Sequence, residues 1–351
     1  MCPVEPFSND SIADTGPAGG SAPPDVRDAP PPVVRGEPVE LCAGVFVIPD
    51  NRVPLVPNIG IVVGERAALV IDTGLGPRNG ARVLDRARRL AGDRPLYLTT
   101  THFHPEHGFG AQAFKGAATI VYNRAQREEL RRKGAGYTGM FAGLGPHVAA
   151  ALEGVESVDP DMVYADEAEI DLGGHIAVLR ASGPAHTGSD QTVLIDGRVL
   201  FTGDLVETRM FPILPYFPPF DTDVDGSGWI ALLDRLLADE PEIVVPGHGE
   251  VADAGLIREV RGYLDHVRAE TRRLRADGVS VDDAAARIDR DARARWATWD
   301  NPEWIGFAAR AFWHADSGVD ELRPTPRLVH CEPGPAASSG SGETYSLPAG
   351  E

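Results

Sequence analysis

The chain has 351 residues, enough to bury a sizeable core in one large domain or two small ones. Acidic residues outnumber basic ones by 52 to 33, and the formal net charge of −19 argues against nucleic acid as the main partner, because such a surface repels phosphate. Cys2, Cys42 and Cys331 are odd in number and far apart with no Cys-x-x-Cys, which argues against a disulfide framework or a cysteine zinc site.

Residues 1–37 hold eight prolines and four glycines with almost no apolar periodicity, and are expected to form a disordered leader. Met1-Cys2-Pro3-Val4-Glu5 lacks the basic and apolar regions of a secretory signal, and no apolar run reaches the length of a membrane span. A cytoplasmic protein with no membrane partner is therefore expected. Lys115 and Lys133 are the only lysines; the arginine bias reads as genome composition.

The folded body begins with β-rich runs at Val39–Ile48, Leu55–Val63 and Ala67–Ile71. A helix is predicted over Arg78–Leu90, and the apolar Leu96-Tyr97-Leu98 leads into a histidine-rich segment. Ala118–Tyr122 reads as a strand and Arg124–Lys133 as an amphipathic helix. The glycine-rich stretch Gly134–Gly145 then reads as a break, a loop or a mobile lid. Strands resume at Met162–Ile170, Ile176–Arg180, Thr192–Ile195 and Val199–Thr202. The proline-rich aromatic run Phe211–Phe220 either walls a cleft or packs later helices onto the core. Trp229 to Leu237 keep helical spacing, Ile243–Val245 is a short buried strand, and Leu256 to Leu274 keep a period near 3.6. Ser280-Val281-Asp282-Asp283 resembles a capping box that opens another helix, and Pro302–His314 forms a last one. The expected organisation is a main domain over 38–252, a helical extension over 253–330 packed on it, and a disordered tail over 331–351. Strands, helix, strands and helix in that order suggest a sheet sandwich flanked by helices.

Chemistry concentrates where strands run out into glycine-containing loops. Thr101-His102-Phe103-His104-Pro105-Glu106-His107-Gly108 places three imidazoles and a carboxylate on a short length of backbone, a donor set suited to a divalent metal. His186, Asp204 and His248 follow later strands, and Asp72 ends an earlier one. Five of the ten histidines sit in these segments; His147, His175, His266, His314 and His330 read as surface or packing residues.

The ordered set Asp72, His102-x-His104-x-Glu106-His107, His186, Asp204 and His248 resembles the signature of the metallo-β-lactamase superfamily over residues 39–252. The resemblance implies an α+β fold, a four-layer αβ/βα sandwich, here with a C-terminal helical extension. By resemblance His102, His104 and His186 hold a first metal. Glu106, His107 and His248 hold a second, Asp204 bridges the two, and Asp72 supports the ligands from behind. Two zinc ions per chain are expected, with iron as the alternative. A water bridging two metals about 3.5–4 Å apart becomes hydroxide near neutral pH. Glu106 and Asp204 are the catalytic candidates, with Glu106 orienting the nucleophile or taking its proton. The family motif carries aspartate where this chain has Glu106, one methylene longer. The aspartate at position 204 resembles the glyoxalase II and lactonase branches. The implied reaction is hydrolysis of an ester, thioester, lactone or lactam bond of a small substrate. The alternatives are a mononuclear iron dioxygenase of the same fold and a non-catalytic, binding or cofactor-maturation use of it.

Overall fold

The computed structural model describes residues 29–218 and 220–315. These belong to the unit Met1–Ser317; the unit Gly318–Glu351 lies wholly outside the described residues, as do His330, the expected tail and residues 1–28 of the expected leader. A seven-stranded sheet runs in chain order from β1 (Val39–Cys42) through β2 (Val45–Ile48), β3 (Ile59–Val63), β4 (Ala68–Ile71), β5 (Leu96–Thr99) and β6 (Thr119–Asn123) to β7 (Met162–Tyr164). A five-stranded sheet is ordered β12 (Ile243–His248), β11 (Val199–Glu207), β10 (Gln191–Ile195), β9 (Ile176–Ala181), β8 (Glu167–Asp171). Pairing is parallel from β4 to β7 and between β11 and β12, and antiparallel elsewhere.

The alternation of side chains along each strand builds the layers. In β4, Ala68 and Val70 face outward with Val83, Ala87 and Ala91 of α1 (Gly76–Ala91), while Leu69 and Ile71 face the other sheet. In β11, Val199 and Phe201 join that same inter-sheet core, and Leu200 points away toward helices. Those helices are α5 (Gly226–Ala238), α6 (Ala254–Ala276), α7 (Val281–Arg295) and α8 (Ile305–Ala315), which bury Trp229, Leu233, Tyr263, Leu264, Ile288 and Phe312. The result is the expected helix–sheet–sheet–helix sandwich, with the C-terminal helices sharing a core with the second sheet. Ser280 caps α7 by accepting from the Asp283 amide, as its motif implies.

Three expectations need correction. The expected leader reaches residue 37, yet Val34 is fully buried and its amide donates to Asn79 Oδ1, while Arg86 Nε donates to the Gly36 carbonyl. Apolar burial of Val34 and these polar contacts bind the segment to α1. The run Val39–Ile48 is a hairpin of two strands, since Gly44 turns the chain at φ +75°. Most consequential, Gly134–Gly145 is no break: α3 (Arg124–Ala142) continues through Gly134, Gly136 and Gly139, followed by α4 (Pro146–Ala151). Each glycine costs a helix about 1 kcal/mol, but tertiary contact outweighs it here. The α3 face Gln126, Glu129, Lys133, Tyr137, Phe141 is buried at helical spacing, and a Cβ at Gly136 would lie 2.6 Å from the Phe220 ring.

Candidate metal centre

The candidate residues converge where β4, β5, β11 and β12 end and where β9 turns into β10. Asp72 directly follows β4 at φ +70°, a left-handed conformation that aspartate tolerates better than most residues. His104 precedes α2 (Pro105–Gly108), whose first residue is a proline with its φ already helical. That single turn swings Glu106 and His107 back beside His102. Asp204 lies within β11 against the backbone of Gly247, where a Cβ would sit 2.0 Å from Asp204 Oδ1. Only glycine at 247 leaves that carboxylate its place.

The seven residues form two groups that share Asp204: His102, His104, His186 and Asp204, then Glu106, His107, Asp204 and His248. Within each group the potential ligand atoms lie within 4.8 Å of one another. In the first group, His104 Nδ1 is 3.1 Å from both His102 Nε2 and His186 Nε2, and Asp204 Oδ2 is 3.8 Å from the latter two. A tetrahedral ion bound at about 2.0–2.1 Å would hold its ligands about 3.3 Å apart. The outer hydrogen bonds fix the tautomers. His186 Nδ1 faces the Ile213 carbonyl at 3.1 Å, which can only accept, so that nitrogen carries the proton and Nε2 keeps its lone pair. Thr101 gives its hydroxyl proton to Asp72, so its oxygen accepts from His102 Nδ1 at 3.2 Å. The lone pairs of His102 Nε2 and His186 Nε2 therefore point at one spot beside His104 Nδ1, an arrangement suited to a cation between the three rings.

In the second group Asp204 Oδ1 lies 3.1 Å from His107 Nε2 and 3.7 Å from His248 Nε2. His107 Nδ1 donates to Asp72 Oδ2 at 2.9 Å, again leaving Nε2 toward the centre. Glu106 Oε2, His107 Nε2 and Asp204 Oδ1 are buried without an aligned hydrogen-bond partner. Buried polar atoms are rarely left so, and here they are the metal-facing ones.

Burial and neighbouring imidazoles hold His102 and His104 well below the usual histidine range, and burial alone is the main cause for His186 and His248. All four are thus neutral and able to ligate. Burial also opposes a proton on His107, but Asp204 and Asp72 more than offset it and lift that ring well above its usual range. Burial pushes Glu106 up to about 7. Asp204 stays well below the usual range: burial raises it, and His107 and His248 draw it down further. Asp50, Asp72, Glu106, Asp204 and Glu207 make five buried carboxylates around this centre. Among the described residues none of them pairs with a lysine or arginine side chain, and the ion pairs of Asp50, Asp72 and Asp204 are with histidine. The donor set fits metal cations on both chemistry and charge.

Several contributors were not anticipated from the sequence. Asp50 accepts from the Gly249 amide at 2.8 Å, beside His248. Asn58 donates to the Pro246 and Gly249 carbonyls, fixing the loop that carries His248. Glu207, opposite His248 in the β11–β12 ladder, is 2% exposed with Oε2 unpartnered. Lys133 is 3% exposed and donates to Glu129 and to Asp221 at 2.7 Å, with Asp223 at 2.9 Å. Its signal was visible, a lysine in a chain of arginines. The Phe211–Phe220 run packs the later helices as one expectation had it, with Phe211 on Tyr263 and Trp299, and it also touches the centre, where the Ile213 carbonyl holds His186 and Phe220 rests near Tyr137. His175 pairs with Asp196 at 2.7 Å and His266 with Asp291 at 2.8 Å, both away from the centre.

A model of the Metallo-beta-lactamase superfamily matches residues 52–248. The chain belongs to that superfamily. It is similar to the acyl-coenzyme A thioesterase MBLAC2 of Bos taurus, at 32% identity over 208 residues, covering 54% of this chain and 72% of that protein. Among solved structures it resembles the sec-alkylsulfatase Pisa1 from Pseudomonas sp., with a TM-score of 0.61 at 14% identity over 83% of this chain and 52% of that one. It also resembles a metallo-beta-lactamase from Pontibacter korlensis, with a TM-score of 0.51 at 18% identity over 66% of this chain and 99% of that one. At such identities the two structures speak for the fold alone. The enzyme is a metallo-hydrolase of this superfamily. No helix among the described residues is long and apolar enough to cross a membrane.

Proposed function

We propose that the enzyme holds two divalent cations, zinc in each case, and hydrolyses an ester, thioester, lactone or lactam bond of a small substrate. Thioesters are the first class to try, given the acyl-coenzyme A thioesterase among its relatives. One observation carries the reading: the two oxygens of Asp204 face separate donor groups, Oδ2 toward His102 and His186 and Oδ1 toward His107 and His248. His102, His104 and His186 would hold one cation, and Glu106, His107 and His248 the other. Cations bound there supply Lewis acidity toward a carbonyl oxygen and lower the pKa of a bound water. The protein's own part is positional. Thr101, Asp72 and the Ile213 carbonyl lock three imidazoles in the tautomer that presents Nε2, and those three rings are buried. Glu106 and Asp204 stand nearest to accept the proton that a nucleophilic water gives up.

A single-iron dioxygenase is the weaker reading, because one cation among His102, His104 and His186 would leave the second donor group of Glu106, His107 and His248 unused. Elemental analysis of the purified chain, with a panel of esters, thioesters, lactones and lactams assayed on wild type and His104→Ala, tests the proposal. Two zinc ions per chain and turnover lost in the variant are expected. One iron per chain, or no stoichiometric transition metal, overturns it.

A further inference from the structure

Three of the five metal-facing imidazoles have an outer hydrogen bond, His102 to Thr101, His107 to Asp72 and His186 to Ile213, and His248 Nδ1 faces Asp50 Oδ2 at 4.0 Å. His104 differs. Its Nδ1 is the atom turned toward His102 and His186, so with that nitrogen on a cation Nε2 would carry the proton, and Nε2 is buried with no hydrogen-bond partner. Outer acceptors ordinarily set the ring angle of a metal-binding histidine. Here the ring is gripped by aromatic faces instead. Tyr137 lies 5.0 Å from His104 at an interplanar angle of 30°, and Phe103 lies 4.9 Å away at 60°. Tyr137 packs edge-on against Phe103 at 4.9 Å, so the three rings brace one another.

Tyr137 is itself pinned. Its hydroxyl donates to Asp221 Oδ2 at 2.6 Å, and the other oxygen of Asp221 accepts from Lys133 Nζ at 2.7 Å. Lys133 stands over the Phe103 ring at 5.3 Å, and its remaining donors go to Glu129 and Asp223. An ammonium has three N–H donors, and three carboxylates surround this one. A compact ammonium fills that geometry, whereas a planar guanidinium does not. This gives a local reason for a lysine in a chain whose other basic residues are almost all arginine.

We propose that Tyr137, held by Asp221 and Lys133, is the positioning residue for His104 and so sets the affinity of the first cation site without touching the second. The inference rests on the metal-binding reading above. The test measures zinc affinity by chelator competition and the visible spectrum of the cobalt(II)-loaded protein, on wild type, Tyr137→Leu and Tyr137→Phe, with melting of the metal-free chains as a folding control. Tyr137→Leu is expected to weaken one of two zinc sites by about 10–100-fold, the range seen when outer partners of metal ligands are removed. Its cobalt spectrum should change for that site alone. Tyr137→Phe keeps the ring and should recover all but about threefold of the loss, by the same reasoning. Equal weakening of both sites would mark a general structural defect and overturn the proposal, as would unchanged affinity in a folded Tyr137→Leu. If Tyr137→Leu does not fold, Asp221→Ala decides: it removes the acceptor and frees the hydroxyl while keeping the ring, and must selectively weaken one site. A wild type that binds no zinc would instead overturn the metal reading itself.

Discussion

The two donor groups that meet at Asp204 are held in place by different kinds of structure. In the first, His104 and His186 come from loops 82 positions apart, and what joins them is a buried ionic hub. Glu129 receives Ser189 Oγ and the Gly188 amide from the His186 loop and Lys133 from its own helix, and Lys133 reaches on to Asp221 before α5. In the second group the supports are separate hydrogen bonds at strand ends and turns, with no lysine or arginine among them. Asp72 braces His107 from the neighbouring strand, and Asp50 with Asn58 braces the turn carrying His248. The first group is thus sensitive to the fold around it, and the second to the charge balance of a few carboxylates.

Removing the shared element breaks both at once. Asp204→Asn keeps the shape but gives up the charge that faces each group, and should cost both cations and more than about 100-fold in turnover, beyond the loss typical of outer partners. Elemental analysis that still finds two metals would separate the groups from Asp204. Lys133→Met strikes only the first side. It leaves Glu129 and Asp221 buried without their counter-ion, a change that costs about 3–5 kcal/mol in comparable sites. Burial lowers the Lys133 pKa, but Glu129 and Asp221 more than offset this and hold it above the usual 10.5. A raised pKa in the folded state means that its stabilisation is complete below 10.5 and is lost as pH rises through the folded value. Denaturant melts should therefore show the full difference between wild type and Lys133→Met at pH 8 and a narrowing one at strongly alkaline pH. A constant gap would mean that charge is not the cause.

Legibility in the sequence divided the candidate ligands from their supports in both groups. The sandwich and the seven convergent residues could be read because strand alternation, glycine-bounded strand ends and His-x-His spacing are local patterns. The supports could not. Lys133 lies next to Gly134, Gly136 and Gly139, which by propensity end a helix, yet α3 runs on with its buried face packed and the Phe220 ring seated against Gly136. A contact between residues that distant in sequence leaves no local pattern. Asp50 and Glu207 look like ordinary loop and strand acids until the ladder sets Glu207 opposite His248 and the Asp50 turn against Gly249. The Ile213 carbonyl carries no side-chain signal at all.

Smaller substitutions sharpen the view of the second group. Asp72→Asn retains a residue that tolerates φ +70° but replaces one charged oxygen that receives His107 and Thr101. It should weaken only the second cation, by about 10–100-fold, measured by chelator competition. Equal weakening of the first would show that Thr101 passes the effect on to His102. Glu106→Asp asks the finest question, since it restores the residue usual in the family while leaving the charge in place. A Glu106 carboxylate oxygen already lies within 4.8 Å of its partners' ligand atoms on a backbone arranged for the longer arm. Retracting the carboxylate by one methylene should therefore lower affinity for the second cation, by about tenfold or less, rather than raise it. A gain in affinity would mean that the helical turn at Pro105 adjusts to the shorter residue, and that the second group is the more pliable of the two.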